Sequence, residues 1–294
     1  MRVTDRLKWS SLSRHITSNA KRVQETFDEV STGKRVQRAS DDPLAYAMIQ
    51  RLRTEQRVQE GMKQVGEQMQ GYFETADEVL EQATSNLFRA RELAIEFGSD
   101  TRNQGQRDAA ASELRSIKNM LVDLANTRIG DAYVFAGIAD GAEPFDGAGT
   151  FVGSDTLREV EVGRGVTVSQ LSGAQIFGGE ADVDTMAVID TLIADLESGD
   201  TERVRRSLGD LDAALDQVYE GRQRAGRELN TIDHARSFSE AMILQSQLET
   251  SRKEDVNLPE AITAMQAART AFEASAQVSL RYNEVADIAL RLSN

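Results

Sequence analysis

The chain has 294 residues, 40% hydrophobic and 28% charged, with a formal net charge of −14. This length suits one large domain or two to three small ones. Aromatics at 5%, one Trp and three Pro favour long helices over a thick globular core. With no Cys there are no disulfides, thiolate metal sites or thiol nucleophiles, and no apolar run approaches the roughly 18 residues of a membrane span.

Residues Met1 to Ser10 carry Arg2, Arg6 and Lys8 with no apolar stretch behind them, so no cleavable secretory signal is expected. In the first segment Trp9, Ile16, Ala20, Val23, Phe27 and Val30 keep a seven-residue spacing split into four and three. That predicts one apolar stripe on a helix ending near Ser31, with Gly33 as its left-handed cap. Lys34 to Ser40 is polar and aperiodic, and reads as an extended linker. Asp42 can then cap exposed amides, and Pro43 suits a first helical position, where an N–H would be unpaired anyway. Asp41 and Asp42 together could ligate a cation, but capping beside Pro43 accounts for them better.

The next stripe runs Met48, Leu52, Val58, Met62, Val65, Met69, Tyr72, Ala76, Val79, Ala83, Leu87, Ala90, Ala94 and Phe97, broken at Glu55. A helix over residues 43 to 97 would be about 82 Å long. Gly61, Gly66 and Gly71 read as lying off this stripe. Gly98 to Gly105 reads as a turn. A further helix carries Ala110, Leu114, Ile117, Leu121 and Leu124, and is expected to stop at Gly130.

Eleven Gly fall between Gly130 and Glu180. Tyr133 to Phe135, Leu157 to Val162 and Val166 to Leu171 read as short strands, with a hairpin turn at Gly163 to Gly165. Helical pattern returns at Val183 to Leu196 and continues through Val204, Leu208, Leu211, Leu215, Val218, Ala225, Leu229, Ile232 and Ile243. Asn257-Leu258-Pro259 breaks it. The last segment, Glu260 to Leu292, carries Met265, Ala268, Phe272, Val278, Tyr282, Val285, Ala289 and Leu292, with a one-step slip after Phe272.

The expected fold is mainly α: an elongated antiparallel helical rod with coiled-coil termini and a small central β-rich insertion. Residues 1–42 with 255–294 would form a terminal assembly domain, 43–130 with 183–254 the rod, and 131–182 the insertion. The narrow terminal seams, Ile16, Val23, Phe27 and Val30 with Met265, Phe272, Val278 and Val285, are too lean for stable isolated helices. Either they pair and order against neighbouring subunits, or they fold back onto the rod; periodicity leaves both open. Residues 1–57 carry a net +5 and the other 237 a net −19. The basic start reads as complementing acidic partner surfaces or as solvated, and the acidic body disfavours nucleic-acid binding.

Specific residues go further than pattern. Val30 to Pro43, reading VSTGKRVQRASDDP, resembles the N-terminal signature of bacterial flagellins and flagellar hook-associated proteins. Phe88 to Ile95, FRARELAI, resembles the flagellin segment that contacts neighbouring protofilaments. Glu249 to Met265, ETSRKEDVNLPEAITAM, with Phe272-Glu273-Ala274-Ser275, resembles the C-terminal signature. Leu44-Ala45 after the aspartates, Gly130 to Phe145, and Arg158 to Val162 followed by Gln175 to Gly179 resemble the branch found at the hook–filament junction. The ending, Ala289 to Asn294, departs from the pattern of both branches.

The resemblance implies a structural adaptor of the flagellum at the hook–filament junction, with filament flagellin as the alternative within the family. It implies export through the flagellar type III route without a cleaved signal, aided by a chaperone. The implied partners are the first hook-associated protein, flagellin, and further copies of the chain in a ring, with no membrane insertion. It makes Arg89, Arg91 and Glu92 a candidate lateral interface, although the residues alone would read as a solvated face. Outside the family, a soluble helical binding or signalling module would also fit the pattern. No cofactor, metal site or enzyme is expected: His15 and His234 stand alone, and neither Gly147-Ala148-Gly149 nor Gly163-Arg164-Gly165 has phosphate-loop spacing.

Overall fold

A computed structural model describes residues 3–98, 103–178 and 183–292. Helices and strands follow in the order α1 (Val3–Thr32), α2 (Pro43–Phe97), α3 (Gln104–Ala125), β1 (Arg128–Ile129), β2 (Ala132–Tyr133), β3 (Glu159–Gly163) and β4 (Val166–Ser169). Then come α4 (Gly173–Ile176), α5 (Thr185–Ser198), α6 (Thr201–Glu254) and α7 (Leu258–Leu292). The class is mainly α, with two small antiparallel sheets, β1-β2 and β3-β4. The chain divides into two compact units, Val58–Met242 and Met1–Arg57 with Ile243–Asn294.

In the Val58–Met242 unit, the α2 stripe from Met69 onward is buried as expected: Met69, Tyr72, Ala76, Val79, Ala83, Leu87, Ala90, Ala94 and Phe97, joined by Phe73, Leu80 and Leu93. Towards the start of the unit the spacing departs from the expected stripe. Val58 is exposed, whereas Gln59 and Gly66 are buried, and a Cβ on Gly66 would sit 3.8 Å from Ile232 of α6. Gly66 therefore lies in the seam, one residue from the apolar Val65 that periodicity selects. The helices run antiparallel, with Lys63–Glu240 at 2.8 Å, Arg222–Asp77 at 2.9 Å and Arg91–Asp212 at 2.6 Å across the pair. Helix α3 packs on α5, where Lys118 meets Asp190 at 2.6 Å and Arg115 pairs with Glu197.

Helix α3 ends at Ala125, short of the expected Gly130. The Asn126 side chain pairs in both directions with the Phe145 main chain, donating at 2.9 Å and accepting at 3.0 Å. Gly130, at φ +62°, instead makes the turn between β1 and β2. Residues 99–102 of the expected turn at 98–105, and Gly179 after α4, lie outside the described residues. The β3-β4 hairpin forms where expected, pairing Val160 with Val168 through a bulge at Glu161–Gly163. Val162 and Val168 point into the core while Glu159 and Glu161 face out, so alternation was the correct signal.

Among the described residues, the large buried side chains of the insertion pack into the core of the helices. Phe135, Phe145 and Phe177 stack edge-on with centroids 5.6 and 6.0 Å apart, and belong to the same apolar cluster as α2, α3, α5 and α6. Buried Tyr72 ties the insertion to α2: its hydroxyl donates to Val134 O at 2.7 Å and accepts from Leu171 N at 3.0 Å.

One carboxylate in this unit is placed at a cost. Burial raises the pKa of Glu228 on α6, against a backbone hydrogen bond from Ser169 that favours the anion. With the folded value above the unfolded one, the penalty is absent below about pH 4.5, grows as pH rises, and is complete above the folded value. Glu228→Gln is therefore expected to raise the thermal midpoint at pH 7 and to make no difference at pH 4. Equal midpoints at pH 7 would remove the burial argument.

Candidate assembly pair and linker clasp

The second unit is built around α1 and α7, which lie side by side and antiparallel. Asn19 Nδ2 donates to Ala271 O at 3.4 Å, and the Trp9 ring lies 6.3 Å from that of Tyr282. On α1 the half-buried residues include Leu12, Ile16, Asn19, Val23, Thr26 and Val30, a spacing of four and three. On α7 they include Ala261, Met265, Ala268, Phe272, Ser275, Ser279 and Tyr282, on the same spacing. These are two heptad seams.

The structure thus separates the expected stripe into two. Ile16, Val23, Val30, Met265 and Phe272 lie between α1 and α7. Phe27, Val278 and Val285 do not: they are 55%, 56% and 64% exposed. The slip after Phe272 is explained by this. Met265, Phe272 and Tyr282 belong to the internal seam, whereas Val278 and Val285 lie on a neighbouring flank with Ala267, Ala271 and Ala274, all exposed. On α1 the row Ile16-Val23-Val30 has two flanks. The polar one, Asn19 and Thr26, faces α7, and the more apolar one, Ala20 and Phe27, faces solvent. The side chains of Ala289 and Leu292, the expected end of the stripe, lie outside the described residues.

Between these helices and the start of α2 run the linkers. Gly33 adopts φ +72° and its N–H donates to Glu29 O at 2.9 Å, closing α1 as a left-handed cap. A side chain there would force a conformation that costs L-residues roughly 1–2 kcal/mol. Asp42 Oδ1 accepts from Ala45 N at 2.9 Å and Pro43 opens α2, as expected. Asp41 does different work: its Oδ2 accepts from Gln37 N at 3.0 Å and Arg38 N at 2.9 Å, folding residues 37–41 into a turn. The backbone N–H of Arg38 lowers the pKa of Asp41 most, and that of Ala45 lowers the pKa of Asp42. The linker is therefore not simply extended, and Val36 within it is fully buried.

Glu254, at the end of α6, was not singled out in the sequence. Lys34 Nζ approaches it at 2.6 Å, and Arg53 Nη2 donates to both of its carboxylate oxygens at 2.8 and 2.7 Å. Arg35 N and Val36 N donate to its main-chain oxygen at 2.7 and 3.3 Å, and Val256 N donates to Gly33 O at 2.9 Å. The two linkers meet beside this residue. The local signal was slight, an acidic residue closing a helix before a polar break, because its partners are about two hundred positions away.

In the other unit, Arg89 bonds to Glu113 on α3 at 2.7 Å and to Glu92 at 3.0 Å, while Arg91 bonds to Asp212 on α6. The two arginines are thus engaged within the chain. The exposed apolar residues of that segment are Phe88 and Ile95, one heptad apart, with the Phe88 ring edge-on to Tyr219 at 6.4 Å. Among the described residues no group of three or more His, Asp or Glu could hold a metal ion, and no helix is long and apolar enough to cross a membrane.

Residues 6–140 match the family model described as the bacterial flagellin N-terminal helical region. Over this stretch the chain is similar to that region. Over nearly its full length the chain is also similar to flagellar hook-associated protein 3 of Salmonella typhimurium: 25% identity, covering 94% of this chain and 95% of that one. A flagellin of Halalkalibacterium halodurans is 24% identical over 83% of this chain and 82% of its own. In fold the chain is similar to the crystal structure of FlgL from Xanthomonas campestris, with a TM-score of 0.60 and 18% identity over 66% of this chain and 98% of that one. The matched stretch takes in α1, the linker, α2, α3 and the β1-β2 pair, and the likeness to the hook-associated protein extends past it into α7.

Proposed function

We propose that this chain is a structural component of the bacterial flagellum, an adaptor at the hook–filament junction that assembles with other copies and with its neighbours through α1 and α7. The observation that carries this reading is how the two helices pair. Their internal seam mixes Ile16, Val23, Val30, Met265 and Phe272 with Asn19, Thr26, Ser275 and Ser279, and leaves Phe27, Val278 and Val285 in solvent. A pair built for solitude would not leave apolar side chains of this size outside while polar ones occupy the seam. Among the described residues, the only fully buried apolar side chains of this unit are Val36, Ile49, Ala261 and Ala268. That is too little apolar burial to hold long helices in water, so their exposed flanks need neighbours.

In this reading the first hook-associated protein lies on one side and flagellin on the other, with copies of the chain forming a ring between them. The chain reaches that place through the flagellar type III route with a chaperone and without a cleaved signal, and it performs no catalysis. An unfolded passage agrees with the lack of Cys and with the thin terminal core. Filament flagellin is the second reading, favoured by the likeness to a flagellin over four-fifths of the chain.

A deletion strain separates the two. The junction role predicts bare hooks and flagellin released into the medium, with the protein itself found on purified flagella in few copies near the hook. A filament subunit would be abundant along the whole filament, and its deletion would release no flagellin. Retention of the protein in the cytoplasm would exclude both.

A further inference from the structure

The joint that carries α1 and α7 is organised around one buried anion. Glu254 is 5% exposed, whereas the side chains of its two cations, Lys34 and Arg53, remain substantially open to solvent. Its main-chain oxygen holds the amides of Arg35 and Val36, Arg35 Nη2 donates to Lys253 O at 3.0 Å, and the backbones of Lys34 and Asp255 pair as an isolated antiparallel bridge. The side chain of Glu254 and its main chain therefore fasten the outgoing linker of α1, while Val256 fastens the incoming linker of α7 to Gly33.

Apolar burial at the joint is sparse, with Val36 and Ile49 as its large fully buried side chains. A carboxylate at this depth has given up its hydration, and that loss is offset only while cations and donors surround it. Removing one partner leaves a buried charge uncompensated; opening the joint returns all three charges to water. Such an arrangement favours two conditions, fully closed or fully open, over a graded loosening.

We infer that Glu254 is a latch: its paired contacts to Lys34 and Arg53 hold both linkers as one joint, fixing where α1 and α7 leave the ends of α2 and α6, and its loss frees both linkers together. Glu254 is a positioning residue in this scheme. The consequence for a growing flagellum rests on the reading of α1 and α7 as the assembly pair, but the latch itself does not.

Amide hydrogen exchange on the purified full-length chain tests it at Arg35, Val36 and Val256. Glu254→Gln keeps the shape and removes the charge; it is expected to speed exchange at all three amides at least tenfold while leaving the core amides of α2 and α3 unchanged. Lys34→Arg should keep wild-type protection and Lys34→Met should lose much of it. Adding Lys34→Met to Glu254→Gln should cost less than Lys34→Met costs alone, because the two act on one contact. Val36→Ala provides the apolar control and should have the smaller effect.

Unchanged exchange in Glu254→Gln would overturn the latch. So would loss of protection in one linker only, full additivity of the pair, or a Val36→Ala effect as large as that of Glu254→Gln. None of these measurements depends on the flagellum, whereas the protein's position on purified flagella decides the assembly reading independently of them.

Discussion

Phe272→Asp and Phe27→Asp are both expected to abolish junction assembly, but by different routes that one probe separates. Phe272 lies in the internal seam, so a carboxylate there disrupts the pairing of α1 with α7 in the isolated chain. Trp9 is the only Trp and, although 46% exposed, its ring lies 6.3 Å from that of Tyr282, so loss of that ring contact should change its fluorescence intensity, with a loss of helical signal. Phe27 already faces solvent. Phe27→Asp should therefore leave the Trp9 signal and the helix content near wild type, yet remove an apolar anchor from each contact between neighbours. At about 2 kcal/mol per lost contact, each weakens roughly thirtyfold, and in the proposed ring that loss would repeat at every subunit. Both variants should keep the Val58–Met242 unit folded. A Phe27→Asp protein that still completes hooks and supports filaments would show that the exposed flank of α1 is not the contact surface.

The contrast between those two residues shows what the sequence can resolve. Local chemistry was legible: Gly33 as a left-handed cap, Asp42 and Pro43 opening α2, and the β3-β4 hairpin each depend on neighbours within a few positions. The stripe from Met69 to Phe97 was legible because both flanks of that seam are apolar, so a one-step error changes little. On α1 the row Ile16-Val23-Val30 is common to two possible seams. Choosing between Asn19/Thr26 and Ala20/Phe27 requires knowing which flank α7 occupies. Hydrophobicity favours the second, and the fold uses the first. The same ambiguity on α7 appeared as a slip in the repeat.

Long-range charge was illegible for a similar reason. Arg89 and Arg91 look like neighbours on an open face, but Glu113 and Asp212 engage them from two other helices. Glu254 gains its importance only when Lys34 and Arg53 arrive beside it. Gly130 looked like a helix end because glycine there marks a reversal; the reversal belongs to the β1-β2 turn, after Asn126 has already closed α3 against Phe145.

The other large effect is expected in the Val58–Met242 unit, from Phe73→Ala. Phe73 is fully buried on α2, edge-on to Tyr72 with ring centroids 5.0 Å apart, and Tyr72 in turn holds Val134 and Leu171 of the insertion. Removing the ring leaves a cavity where a helix and the β insertion share one core, and surroundings this constrained relax only partly. Buried Phe→Ala changes of this kind cost about 3–5 kcal/mol, a large part of the roughly 5–15 kcal/mol that holds a domain together. For a unit of this size, that corresponds to a fall in thermal midpoint on the order of 10 °C. Because Trp9 lies in the other unit, its fluorescence transition should stay near the wild-type temperature while the helical signal of α2, α3 and α5 melts early. A midpoint shift below about 2 °C would mean that the Tyr72–Phe73 pair is not the point at which insertion and helices are joined.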